Sequence, residues 1–168
     1  MTTSVSEYLA LDHERLDVLF ERATLRPEKI DPDAYGKFRQ GLLRHIGIEE
    51  KILIPALQPI LNDESKAILA KIRSDHSAIV ALLVPEPVPP VIAALHDILS
   101  KHNDLEETNG GFYELSSLLS DETIGEIAAK MKSAPEVKSL PNNPDPRVLE
   151  ATRRALERAG YNFDNYMQ

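Results

Sequence analysis

The chain of 168 residues has no cysteine, which excludes a disulfide frame, a thiolate zinc site, iron–sulfur ligation and a cysteine nucleophile. Any metal must be held by nitrogen and oxygen. Cationic residues are in the minority, 19 Lys and Arg against 27 Asp and Glu for a net charge of −8, so the clustered positive charge that nucleic acid or an anionic membrane requires is missing. The segment Met1 to Ala10 is polar, with neither the basic nor the apolar region of a secretory leader, and no apolar run approaches the roughly 18 residues that span a bilayer. A cytoplasmic location is expected. Strand-type alternation is nowhere sustained, and no nucleotide loop or nucleophile motif is present. A chain of this length makes one ordinary unit with room for a real core.

What is there is a repeat carried by four of the five histidines. Asp12-His13-x-x-Leu16 precedes His45-x-x-x-Glu49-Glu50; Asp75-His76-x-x-Ile79 precedes His102-x-x-x-Glu106-Glu107. A third element follows each half: Leu61-Asn62-Asp63-Glu64-Ser65, then Leu119-Ser120-Asp121-Glu122-Thr123. The halves share one layout, as two units related by a pseudo-two-fold axis would.

Periodicity is helical throughout. A first helix from Ser4 to Thr24 carries Leu9, His13, Leu16 and Phe20 on one stripe. A second opens at Asp31-Pro32, carries Tyr35, Phe38, Leu42, His45, Glu49 and Ile52, and is kinked or ended by Pro55. Gly36, Gly41 and Gly47 weaken its intrinsic propensity, so packing must hold it. A third from Asn62 turns Leu69, Ile72, His76, Ile79 and Leu83 inward. Pro85 to Pro90 predicts an extended connection. A fourth, from Val91 to Asn109, brings Leu95, Ile98, His102, Leu105 and Glu106 inward until Gly110-Gly111. The repeat implies a fifth from Asp121 to Lys132. An all-α, up-down four-helix bundle with an additional short helix is therefore expected over 1–133. The segment 134–168 is a proline-rich linker and a helical tail, Val148 to Tyr161, read as an arm on the bundle or on a second subunit, or as a docking segment for a protein partner.

At about 3.6 residues per turn, a histidine and a glutamate four apart point the same way, so His45 with Glu49 and His102 with Glu106 can each grip an ion. One histidine on an apolar stripe is ordinarily a satisfied core residue. Four of them on four stripes, with two buried glutamates, would cost many kcal/mol unpaired, and a metal neutralises them together. His96 lies about 240° round from His102 and belongs on the surface. Asp12 and Asp75 sit about 100° from the histidines they precede, too far round to share an ion; they either accept from imidazoles from outside or are solvated. Glu50 and Glu107 carry the same alternatives, closer to the site's edge.

This ordered series resembles the hemerythrin-like family, the HHE cation-binding domain, over residues 5 to about 131, and best in His45-Ile-Gly-Ile-Glu-Glu-Lys-Ile-Leu-Ile-Pro55. The resemblance implies a four-helix bundle around a non-haem diiron centre, with Glu49 and Glu106 bridging and His13, His45, His76 and His102 as terminal ligands. The oxygen carriers of that family have a further histidine one turn before the third-helix ligand, where this chain has Ile72, with Val80 equally inert one turn after. Their second carboxylate is an aspartate at i+5. Reversible oxygen transport is therefore not expected. Relatives that repair iron centres have the same four histidines and two glutamates but carry a cysteine-bearing N-terminal extension, which is not in this sequence.

On that ligand set, two imidazoles per metal, two bridging carboxylates and a solvent-derived bridge make each metal five-coordinate, with an open position apiece on iron. Nitrogen and oxygen donors suit iron or manganese, whereas zinc prefers four in a tetrahedron. Two iron ions are expected, manganese or a mixed pair being the alternative. The function expected is a non-enzymatic diiron protein that binds or senses dioxygen, nitric oxide or iron. Alternatives are a diiron redox enzyme, reducing peroxide or oxygen or repairing iron centres, and a helical interaction domain with a structural metal. The partners expected are a small gas or peroxide at the metals and, through the tail, a second copy or another protein.

Overall fold

A computed structural model describes residues 3–168, so the first two residues of the expected 1–133 segment lie outside the described residues. Among the described residues there are seven α-helices and no strand, a hemerythrin-like bundle with additional helices. None of these helices is long and apolar enough to cross a membrane.

Each long helix starts where its cap chemistry dictates. Helix α1 (Val5–Thr24) is capped by the Ser4 hydroxyl, which accepts from the Glu7 amide at 3.1 Å. Helix α2 (Pro32–Ile48) is capped by Asp31, whose carboxylate accepts from the Asp33 and Ala34 amides, and Pro32 fills the first position, where its missing N–H is no loss. The two helices pack side by side, and Gly41 lets them close: a Cβ there would lie 2.7 Å from Leu16 Cδ2.

Regular α-helix stops at Ile48, ahead of the Pro55 that was expected to kink or end it. The chain instead widens into a π-type turn over Glu49–Leu53, with the Ile54 amide donating to the Glu49 carbonyl, and finishes as α3 (Ile54–Leu57) and a 3-10 turn (Gln58–Ile60). Proline has no N–H to give, and its ring crowds the carbonyl four residues back; a wider turn relieves both.

Helices α4 (Asp63–Leu82) and α6 (Asp121–Ser133) begin alike. Asn62 Oδ1 accepts from the Ser65 amide at 2.9 Å and Ser120 Oγ from the Thr123 amide at 3.3 Å, each followed by two acidic residues at the positive end of the helix. The third repeated element is a helix cap. Helix α5 runs Pro89–Glu107 instead of Val91 to Asn109, because Pro89 and Pro90 take the donor-free first turn and do not prolong the extended connection.

The core is in two parts. One contains Leu16, Phe20, Phe38, Leu42 and Ile79; the other contains Leu9, Ile48, Leu53, Ile72 and Phe112. His13 lies along the chain between Leu9 and Leu16, His45 between Leu42 and Ile48, and His76 between Ile72 and Ile79, so a polar layer crosses the bundle between two apolar ones.

The tail helix spans Pro146–Arg158 (α7), shorter at its end than the expected Val148 to Tyr161, and Phe163–Tyr166 follows as a 3-10 turn. It packs on α4, where the Thr152 hydroxyl donates to the Ala81 carbonyl at 3.0 Å, and Leu156, Ala159 and Phe163 enter the first core cluster. The proline-rich stretch before it is tied to the α4–α5 connection, where the Asn143 amide donates to Val84 O at 2.9 Å, and to α2, where Arg39 Nη1 donates to Leu140 O at 2.9 Å. Phe163 is fully buried. Phe163→Ala is therefore expected to cost about 3–5 kcal/mol of unfolding free energy by denaturant titration; a loss below about 1 kcal/mol would show that the tail is not part of the core.

Candidate metal centre

The structure brings His13 (α1), His45 (α2), Glu49 (the π-type turn), His76 (α4), His102 and Glu106 (both α5) together in the polar layer, all buried. They form two clusters that share the glutamates: His13, His45, Glu49 and Glu106 in one, Glu49, His76, His102 and Glu106 in the other, each with its ligand-type atoms within 4.8 Å of one another. Each glutamate gives one oxygen to each cluster. Glu49 Oε1 is 3.2 Å from His45 Nε2 and its Oε2 is 3.0 Å from His76 Nε2; Glu106 Oε2 is 3.2 Å from His13 Nε2 and its Oε1 is 3.0 Å from His102 Nε2. His96 is exposed on α5 and takes no part.

Three of the four outer nitrogens are also met. His45 Nδ1 lies 2.9 Å from Asp12, His76 Nδ1 2.8 Å from Glu50, and His13 Nδ1 is bonded to Glu107, while His102 Nδ1 faces Asp75 at 3.5 Å without a hydrogen bond. Of the two alternatives for these acids, orientation of an imidazole is the one realised. The carboxylate does not serve the histidine beside it in sequence: Asp12 reaches from α1 to α2 and Asp75 from α4 to α5. With Nδ1–H donated outward, each Nε2 turns its lone pair inward. Asp75, almost wholly buried, is itself held by Lys71 Nζ at 2.6 Å and by the tail's Tyr161 hydroxyl at 2.8 Å.

Whether these residues suit a cation can be read from their own satisfaction. Glu49 Oε2, Glu106 Oε1 and His76 Nε2 are buried without a hydrogen-bond partner, although His76 Nε2 and Glu49 Oε2 are only 3.0 Å apart. They lie in one cluster, within 4.8 Å of one another, without bonding to one another. Polar atoms left so in a core cost several kcal/mol, which a cation among them removes. The donor set fits a metal.

The two clusters are not equivalent, contrary to the equal donor count of the sequence. Tyr113, unmarked by any spacing to the histidines, places its hydroxyl 3.1 Å from His13 Nε2, 3.1 Å from His45 Nε2, 2.7 Å from Glu49 Oε1 and 3.1 Å from Glu106 Oε2. Gly110 at φ 78° and Gly111 fold the chain back over the end of α5; a Cβ on Gly111 would lie 2.6 Å from the Leu105 carbonyl. Phe112 then returns an amide to Leu105 O at 3.2 Å, and Tyr113 opens a 3-10 helix (Tyr113–Leu118) against the site. The signal in the sequence was an aromatic hydroxyl two residues after a double glycine.

Burial raises carboxyl pKa values and lowers those of imidazoles, but the opposite charges here outweigh it. Burial pulls His45 down, and Glu49, Asp12 and Glu106 carry it up to about 10. Burial likewise opposes His76, which Glu106, Glu49 and Glu50 bring to about 11, and His102, which Glu106 and Asp75 bring to about 8. Glu106 is held well below the ordinary carboxylate range by the histidines in spite of its burial. Burial, Glu49 and Glu106 push the Tyr113 hydroxyl well up.

The family described as the hemerythrin HHE cation binding domain matches residues 4–109, a stretch that holds all six clustered residues and ends before Tyr113. No curated protein and no solved structure matches the chain.

Proposed function

The chain belongs to the hemerythrin HHE cation-binding family, and from that premise we propose that it is a non-haem diiron protein that binds or senses a small molecule, dioxygen or nitric oxide, or reports iron itself. The observation that carries the reading is the pair of glutamates whose two oxygens face different imidazole pairs, beside buried donor atoms that no protein group satisfies. Four imidazoles and two shared carboxylates suit two ions of iron, or manganese, better than zinc. Such ions, when bound, supply open coordination positions and one-electron redox chemistry. The chain's own part is to hold three of the Nε2 lone pairs inward through Glu107, Asp12 and Glu50, with Asp75 facing His102, and to shut bulk water out with the two apolar clusters. Ile72, fully buried and apolar, supports a role other than reversible oxygen carriage.

A second reading, a redox enzyme reducing peroxide or dioxygen, draws support from one observation: the Tyr113 hydroxyl is a proton-bearing group 2.7 Å from Glu49. Elemental analysis after anaerobic loading with ferrous iron tests the shared premise. About two ions per chain are expected, and His96→Ala is expected to leave the content unchanged. One zinc per chain with no uptake of iron would overturn the reading.

A further inference from the structure

One hydroxyl at the first cluster stands among four polar atoms of the buried layer. Around Tyr113 Oη stand two carboxylate oxygens and two imidazole nitrogens, at 2.7, 3.1, 3.1 and 3.1 Å. A phenol has one proton to donate and cannot satisfy two carboxylate oxygens at once.

These distances have a second meaning. With metal–donor bonds of about 2.1 Å, neighbouring vertices of an octahedron are about 3 Å apart. Tyr113 Oη lies at that separation from all four other donor atoms, and two edges among those four, His13 to Glu106 and His45 to Glu49, are 3.2 Å each. Six of the separations among these five protein atoms thus match the edge of an octahedron. The second cluster has four donors and no tyrosine, and three of its four inward atoms are the unpartnered ones.

We propose that Tyr113 is a fifth protein ligand of the metal held by His13 and His45, closing that position and leaving the metal at His76 and His102 to receive the exogenous small molecule. The inference rests on the two-metal reading above and deepens it. On loading, the phenol O–H bond breaks, an oxygen–metal bond forms and the proton passes to solvent; no electron is transferred. A surface depression of about 320 Å³ lies over the outer side of His76, lined also by Ile46, Glu50, Arg73, Ser77 and Val80. Tyr113 also does for one metal what a third imidazole would do, although it comes from the 3-10 helix that follows α5 and lies outside the stretch that matches the family.

The test is spectroscopic and needs no turnover. The wild-type chain and Tyr113→Phe are loaded with iron, oxidised to the ferric state, analysed for metal and examined by visible absorption and resonance Raman. Wild type is expected to show a phenolate-to-iron charge-transfer band with enhanced tyrosine ring modes. Tyr113→Phe, which keeps the ring's volume, is expected to bind about two irons and to lack both signals. Wild type that holds two irons without a phenolate band, or a band that survives in Tyr113→Phe, overturns the ligand assignment and leaves the two-metal reading standing. Failure of wild type to take up iron at all overturns that reading first.

Discussion

Glu49→Ala and Glu106→Ala are each expected to empty both metal positions. Each side chain gives one oxygen to the His13–His45 side and the other to the His76–His102 side, at 3.0 to 3.2 Å from an imidazole nitrogen in every case. Losing either glutamate therefore takes a donor from both clusters and half of the negative charge that offsets two cations. By contrast, His45→Ala takes one donor from one cluster and is expected to lower iron content by about one ion. Metal content by elemental analysis, with folding checked by circular dichroism, separates the cases. Retention of one full ion in Glu49→Ala would mean that the glutamates do not span the pair. Glu50→Ala provides a graded comparison: it removes the carboxylate 2.8 Å from His76 Nδ1, and loss of such an orienting acceptor typically weakens affinity about 10- to 100-fold without abolishing it.

The second large effect is the separation between metal-free and metal-loaded stability, and its dependence on pH. Without metal, His102, His45 and His76 hold protons up to about 8, 10 and 11, against 6.5 in the unfolded chain. Groups whose folded pKa is raised stabilise fully below the unfolded value and lose that contribution as pH rises through the folded one. Glu49 and Glu106, lowered from 4.5, stabilise above that value and lose their contribution as pH falls. The metal-free protein is thus expected to be most stable between roughly pH 4.5 and 6.5 and to weaken from there toward pH 9. Coordination requires the imidazole Nε2 atoms bare, so metal affinity changes in the opposite direction and strengthens as pH rises. At about a thousandfold excess of metal over Kd the stabilisation is about 4 kcal/mol, or roughly 8–16 °C in Tm. Scanning calorimetry of both forms from pH 5.5 to 9 should show a gap that widens with pH. A gap that stays constant, or a metal-free Tm that climbs from pH 6.5 to 9, would contradict the charge arrangement of the core.

Six inward residues on four helices were legible because their signal is local. A helix repeats every 3.6 residues, so the offset from His45 to Glu49, or from Leu9 to His13 to Leu16, fixes which side of a helix a residue occupies without reference to any other helix. The caps at Ser4 and Asp31 were equally local, each a side chain accepting from an amide two or three residues on. The family likeness rests on these same positions. Pro55 announced a disturbance, but not its form: whether a helix kinks, stops or widens is decided by what it packs against, and here it widens so that Glu49 and Leu53 both remain buried.

Tertiary structure alone decided which acid meets which imidazole and what else reaches the centre. His45 takes Asp12 from 33 residues away, His13 takes Glu107 from 94, and Tyr113 contacts His13 across 100. No periodicity links such pairs, because their distances are set by how helices are placed side by side. The Tyr113 contact also needs a sharp return of the chain at Gly110 and Gly111, whose direction depends on close backbone approach to the end of α5. Likewise, the tail reaches Asp75 through Tyr161 only because α7 lies on α4, where three apolar residues complete the core. The sequence by itself determined the fold class and the donor types at the centre, since these depend on residue identity and helical phase. The inequality of the two clusters came from the folded chain, since it depends on a side chain that approaches from outside the helices carrying the repeat.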